Sequence, residues 1–138
     1  PILAVKQFLT YVNGAPFQPA MAVGLGLRDS YFRQTAGELQ GKRDLLSAGL
    51  TKAGFAVTHP RGGYFVLADA APLGFASAAD FCRRLPALAG VVAVPVTAFV
   101  RPERAARYAS LVRFAYCKKI DILERASAQL SKLKVSAG

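Results

Sequence analysis

The sequence predicts an α+β fold, an α/β sandwich with helices packed on a small, mostly antiparallel sheet. Three observations carry this. Hydrophobic periodicity is helical up to Gly54 and switches to two immediately after it. The elements then run β-turn-β, helix, β, β, helix, an order that places helices against a sheet. Of the 138 residues, 53% are hydrophobic and 19% charged, enough apolar material for a core of one-domain size.

Taken in order, Ile2, Val5, Phe8, Leu9 and Val12 recur at three and four, a helical spacing. Asn13-Gly14-Ala15-Pro16 ends that segment, because Asn-Gly favours positive φ and proline has no N–H. Residues 18–25 read as a short helix apolar on every side, which demands burial on every side. Residues 31–53 form a long amphipathic helix with Leu39, Leu46, Leu50 and Ala53 in one stripe, stopped by Gly54. Residues 55–58 and 64–68 are strands joined by the turn Pro60-Arg61-Gly62-Gly63. Ser77 with Asp80 opens a helix whose Phe81, Leu85 and Leu88 share a face and which Pro86 shortens. Residues 91–94 read as a buried strand closed by Pro95, and 97–109 as a loop rich in arginine. Residues 110–116 form another strand. Asp121 with Glu124 caps a last helix with Leu123, Ala126, Leu130 and Leu133 inside. Residues 1–30 do not fit this unit and read as the edge of a different domain, so the division expected is 1–30 and 31–138.

No apolar run reaches the ~18 residues of a membrane span. The opening Pro-Ile-Leu-Ala-Val has no basic region and no cleavage site of a signal peptide, and its uncapped apolar start is that expected of a piece of a longer protein. Eighteen Lys and Arg against eight Asp and Glu give a net charge of +10. The excess admits nucleic acid or an anionic ligand as partner. A nucleic-acid module is disfavoured, because no helix carries a basic stripe and no exposed aromatics alternate on a sheet. The densest basic stretch holds Arg101, Arg104, Arg107, Arg113, Lys118 and Lys119 against Glu103 alone. Cys82 and Cys117 read as small buried apolar groups. His59, the single histidine, reads as a surface residue and leaves a zinc site hard to build.

Arg113 stands apart. In Leu111-Val112-Arg113-Phe114-Ala115-Tyr116 every neighbour is apolar or aromatic, and alternation puts Leu111, Arg113 and Ala115 on one face. A guanidinium on such a strand is costly unless an anion answers it. Its planar fork grips a carboxylate through two parallel hydrogen bonds. Spacing leaves two partners open: an internal acid, of which Asp69 is the nearest in the pattern, or an incoming anionic ligand.

Six phrases, collinear along the chain, bear on that choice. They are Lys6-Gln-Phe-Leu-Thr-Tyr-Val12, Ala15-Pro-Phe-Gln-Pro-Ala20, Gly54-Phe-Ala-Val57, Gly62-Gly-Tyr-Phe-Val-Leu-Ala-Asp69, Val91-Val-Ala-Val-Pro95 with Ala98-Phe99, and Leu111-Val-Arg-Phe-Ala-Tyr-Cys-Lys118. Together they resemble the C-terminal part of the fold-type-I, class I/II pyridoxal-phosphate aminotransferases. Above all they resemble the actinobacterial N-succinyldiaminopimelate aminotransferases, and next the kynurenine/glutamine type.

The resemblance implies that residues 31–138 are the C-terminal small domain of the aminotransferase fold and 1–30 the trailing edge of the large cofactor-binding domain. It implies a cytoplasmic homodimer using pyridoxal 5'-phosphate, with amino acids and 2-oxo acids as substrates and neither nucleic acid nor membrane as partner. Arg113 matches the arginine that grips the substrate α-carboxylate. Asn13 and Phe17 match the edge of the dimer interface and active site, although both residues taken by themselves read first as structural. The Gly62-Gly63 pair departs from a Gly-Thr pattern and implies a looser turn.

No phrase matches the Schiff-base lysine, the aspartate that pairs with the pyridine nitrogen or the glycine-rich phosphate cup. The expectation is therefore a piece of an aminotransferase that supplies the carboxylate arginine, does not bind the cofactor alone and does not transaminate alone. The expected substrate is N-succinyl-diaminopimelate, in lysine biosynthesis. The alternatives are a kynurenine-, glutamine- or methionine-type aminotransferase, or an inactive remnant. The basic excess suits a substrate with a second acid group, for which Arg101, Arg104 or Arg107 are the candidates.

Overall fold

The computed structural model describes residues 1–10 and 14–133 and divides into two compact units, Pro1–Thr35 and Ala36–Gly138. In the first, α1 spans Ile2–Leu9 and α2 spans Phe17–Leu25. Neither helix has a buried residue: Phe8 is 87% exposed and Leu25 77%. The all-round apolarity of α2 thus lies uncovered. Helix α3, Asp29–Lys52, begins in this unit and runs into the second.

The second unit holds the core. Helix α3 ends in a tight reversal at Gly54, whose φ is +98°. There Phe55 N–H donates to the Leu50 carbonyl and Gly54 N–H to that of Thr51, closing the last turn as the left-handed glycine permits. Strand β1 (Ala56–Thr58) pairs antiparallel with β2 (Phe65–Asp69). Helix α4 spans Ala78–Ala89, β3 Val94–Pro95, β4 Leu111–Ala115 and α5 Ile120–Leu130. The four strands form one sheet in the order β1-β2-β4-β3 with antiparallel neighbours throughout. This is the expected α+β architecture.

One face of the sheet is covered. Val66, Ala68, Val112 and Phe114 from the strands meet Leu46 and Leu50 of α3, Phe81 and Leu85 of α4, and Leu123 and Leu130 of α5. Phe55 stands edge-on to both Phe81 and Phe114, with centroids 5.7 Å apart in each pair. Burying a side chain of this size contributes roughly 1.5–3 kcal/mol, so this cluster anchors the helices to the sheet. Tyr116, just past β4, donates its hydroxyl to the Gly63 carbonyl at 2.8 Å, and its N–H bonds the Tyr64 carbonyl. The turn expected to be loose is therefore tied to the end of β4, and Gly63 sits there at φ +75°.

Several local expectations are corrected. Helix α4 does not stop at Pro86. Pro86 lies inside it, and the last turn closes through Gly90 N–H to the Pro86 carbonyl, because burying Ala89 rewards the extra turn. The inner stripe of α4 is Ala78, Phe81, Leu85 and Ala89, which leaves Leu88 at its margin, 47% exposed. Residues 91–93 are not strand. Only Val94–Pro95 pair, at the sheet edge where proline costs no ladder bond, and Val92 is exposed. The 97–109 loop contains 3-10 turns over Val96–Phe99 and Pro102–Tyr108. Lys119, not Asp121, is the N-cap of α5, without a side-chain cap bond. Asp121 sits in the first turn, where its charge faces the helix dipole favourably. Cys117 is exposed and Cys82 half-buried, because Cys117 follows the last sheet pair and leaves the core.

Candidate functional site

The site is built on the open face of the sheet. Along β4 the buried residues are Val112 and Phe114, so Leu111, Arg113 and Ala115 point the other way. The register sets Arg113 opposite Leu67 of β2 on one side and Val94 of β3 on the other. Phe65 pairs with Ala115, so its ring projects from the same face one diagonal step from Arg113. The Val96–Phe99 turn brings a second ring from beyond β3.

These two rings hold the arginine. Its guanidinium carbon lies 4.0 Å from the Phe65 centroid and 4.1 Å from that of Phe99. Both are cation–π distances, and the rings engage the flat face of the cation. The N–H bonds lie in the guanidinium plane and stay directed away from the rings. Among the described residues no carboxylate comes within 4.0 Å of Arg113. Asp69, the internal partner that spacing left open, instead accepts the Ala71 N–H at 2.9 Å. The guanidinium is thus desolvated on its faces and carries an unanswered positive charge at its edge. Such a group binds an anion, and a carboxylate fits its fork in two parallel bonds.

Phe99 also forms one wall of a cleft of about 340 Å³ lined by Val100, Arg101, Arg104 and Tyr108. Arg107 lies outside this lining, 5.9 Å over the Tyr108 ring. Phe17 opens α2 in the first unit, 73% exposed, and Asn13 lies outside the described residues. His59 is on the surface, 3.7 Å from the Asp44 carboxylate. Among the described residues no three His, Cys, Asp or Glu converge as for a metal ion. No described helix is long and apolar enough to cross a membrane. The ring clamp is what residue-by-residue reading missed. Phe65 is implicit in the β2–β4 register, but nothing in the spacing announces Phe99.

The antiparallel sheet with its packed helices agrees with what this chain resembles. The family model "Aminotransferase class I and II" matches residues 4–123. The chain belongs to the class I and II aminotransferases. It is 44% identical over 138 residues to a protein of Mycobacterium tuberculosis described as a probable N-succinyldiaminopimelate aminotransferase, covering 96% of this chain and 35% of that one. The solved N-succinyldiaminopimelate aminotransferase of that organism superposes with a TM-score of 0.83 at 46% identity, over 94% of this chain and 33% of the other. A methionine aminotransferase structure from Escherichia coli gives 0.77 at 27% identity, again over 94% of this chain and 33% of that one. The chain therefore spans about a third of the length of these relatives.

Class I and II aminotransferases are pyridoxal-phosphate enzymes, and the described residues do not by themselves make a site for that cofactor. Lys6, Lys52, Lys118, Lys119 and Lys132 are exposed, and Lys42 is half-buried on α3 in a groove shared with Lys119 and Asp121. None of these amines lines the cleft beside Phe99. Asp69 accepts the Ala71 N–H at the end of β2 and does not line that cleft either.

Proposed function

We propose that this chain supplies the substrate-binding small domain of an aminotransferase that moves an amino group between an amino acid and a 2-oxo acid, with Arg113 anchoring the substrate α-carboxylate. The observation that carries the reading is a guanidinium clamped by Phe65 and Phe99 with no acid among the described residues within 4.0 Å. Two parallel N–H···O bonds to the carboxylate fix both its position and its plane. The adjacent Cα is then held at one point, with rotation about its bond to the carboxylate the freedom that remains, and Cα is where proton abstraction must occur. Orientation of this kind lowers a barrier by several kcal/mol, and the charged bond is stronger in a shielded site than in water.

In this reading the cofactor lysine, the pyridine-nitrogen acid and the phosphate cup belong to sequence outside these 138 residues, so the 138 residues alone do not transaminate. Residues 1–30 form the trailing edge of the cofactor-binding domain, with Asn13 and Phe17 at the edge of a homodimer interface. The uncovered apolar side chains of α1 and α2 support that assignment. The amino donor is N-succinyl-diaminopimelate, in a cytoplasmic route to lysine. The 44% identity to the mycobacterial protein supports this choice.

The test is steady-state kinetics of the holoenzyme with Arg113→Ala. The KM for amino acids rises strongly while the cofactor's absorbance persists. Loss of cofactor absorbance with an unchanged KM overturns the assignment.

A further inference from the structure

We propose that Arg101 and Arg104, with Tyr108, form a second anion-binding site that receives an acid group at the far end of the substrate, across the Phe99 ring from Arg113. This rests on the Arg113 reading above and names what that site selects.

The backbone sets up the pair. The turn Pro102–Tyr108 is 3-10, and Arg104 N–H donates to the Arg101 carbonyl at 2.9 Å. With three residues per turn, side chains three apart eclipse one another. Arg104 and Arg107 therefore share one edge of the turn, Arg101 caps its start, and Arg101 and Arg104 both line the cleft of about 340 Å³. Glu103 is the only acidic residue between Arg101 and Lys119, and among the described residues neither arginine makes an ion pair. Arg107, next on the same edge, lies against the Tyr108 ring instead of lining the cleft.

The remaining walls fit an organic acid better than an inorganic ion. Phe99 and Val100 give an apolar side for a methylene chain, and Tyr108 lines the cleft with the two cations. Phe99 is shared: one ring packs on the Arg113 guanidinium and also walls this cleft. A substrate gripped at Arg113 by its α-carboxylate extends past the Phe99 ring toward the guanidiniums of Arg101 and Arg104. The ligand class is an amino acid with a carboxylate at the far end of its side chain, a succinylated diamino acid among them.

The experiment compares donors in the holoenzyme: methionine, which has no second acid, against glutamate, 2-aminoadipate and N-succinyl-diaminopimelate. Wild type is set against Arg101→Gln, Arg104→Gln, Arg104→Lys and Arg113→Gln. The proposal expects Arg104→Gln and Arg101→Gln to raise KM tenfold or more for at least one acid-ended donor and to leave methionine within twofold, with Arg104→Lys recovering part of the loss. Equal effects on methionine and on every acid-ended donor, or no effect on any, overturn it. Arg113→Gln separates the two readings, because it raises KM for methionine and the acid-ended donors alike. If it leaves all of them unchanged, the α-carboxylate reading fails whatever Arg104 does.

Discussion

Replacing Phe99 by leucine removes a π face from Arg113 and keeps an apolar side chain in its place. The guanidinium carbon sits 4.1 Å from the Phe99 centroid. A cation–π contact is worth about 0.5–1 kcal/mol when exposed and about 2 when desolvated, and half-buried Arg113 belongs between, at about 1 kcal/mol. At 1.36 kcal/mol per tenfold, losing it costs roughly fivefold in affinity for any substrate whose carboxylate needs that arginine held. Phe99 is 60% exposed, so the fold loses little: a change of about 0.5 kcal/mol or less is expected. The assay is KM for methionine beside a thermal melt of the same holoenzyme preparation. A KM near five times wild type with an unchanged melting temperature, restored by Phe99→Tyr, agrees with the clamp. An unchanged KM, or a rise that tyrosine does not restore, refutes it.

Other outcomes follow from the same structure. Tyr116→Phe deletes the hydroxyl bond to the Gly63 carbonyl and should destabilise by about 1 kcal/mol, read as a lower denaturation midpoint with an unchanged slope. Gly54→Ala forces a side chain into φ +98°, with its Cβ 2.8 Å from Leu73 Cδ2, and should cost more than Tyr116→Phe in the same titration. Burial pushes the Cys82 thiol up to about 11, so at pH 8 a thiol reagent labels exposed Cys117 first. Cys82 labelling accelerates only toward pH 11. The stability this thiol contributes is complete below its ordinary value of 9.0 and is lost as pH rises from there through about 11.

Much of this was legible in the residues. Alternation alone placed Arg113 on the face away from the core, and the stripe of Leu46, Leu50 and Ala53 is buried as its spacing requires. Gly54 and Ser77 marked a helix end and a helix start, because a left-handed reversal and a cap bond each demand particular residue types. What escaped depends on tertiary partners. Pro86 breaks a helix by local rules, yet α4 continues because Ala89 gains burial. Val92 reads as strand by composition but has no neighbour to pair with at the sheet edge. The Phe65–Arg113–Phe99 clamp joins residues 48 and 14 positions apart from the arginine, set by register and a 3-10 turn, and no spacing rule spans that. The competing partner for Arg113, Asp69, is excluded only by the structure, in which its carboxylate comes nowhere within 4.0 Å of that guanidinium.

The most direct measurement is a crystal structure of the holoenzyme with an unreactive amino-acid analogue bound. Both carboxylate oxygens should lie about 2.7–2.9 Å from the Arg113 guanidinium nitrogens, with Phe65 and Phe99 still against its faces. An analogue carboxylate held elsewhere, with Arg113 paired to an acidic side chain of the protein, would contradict the account.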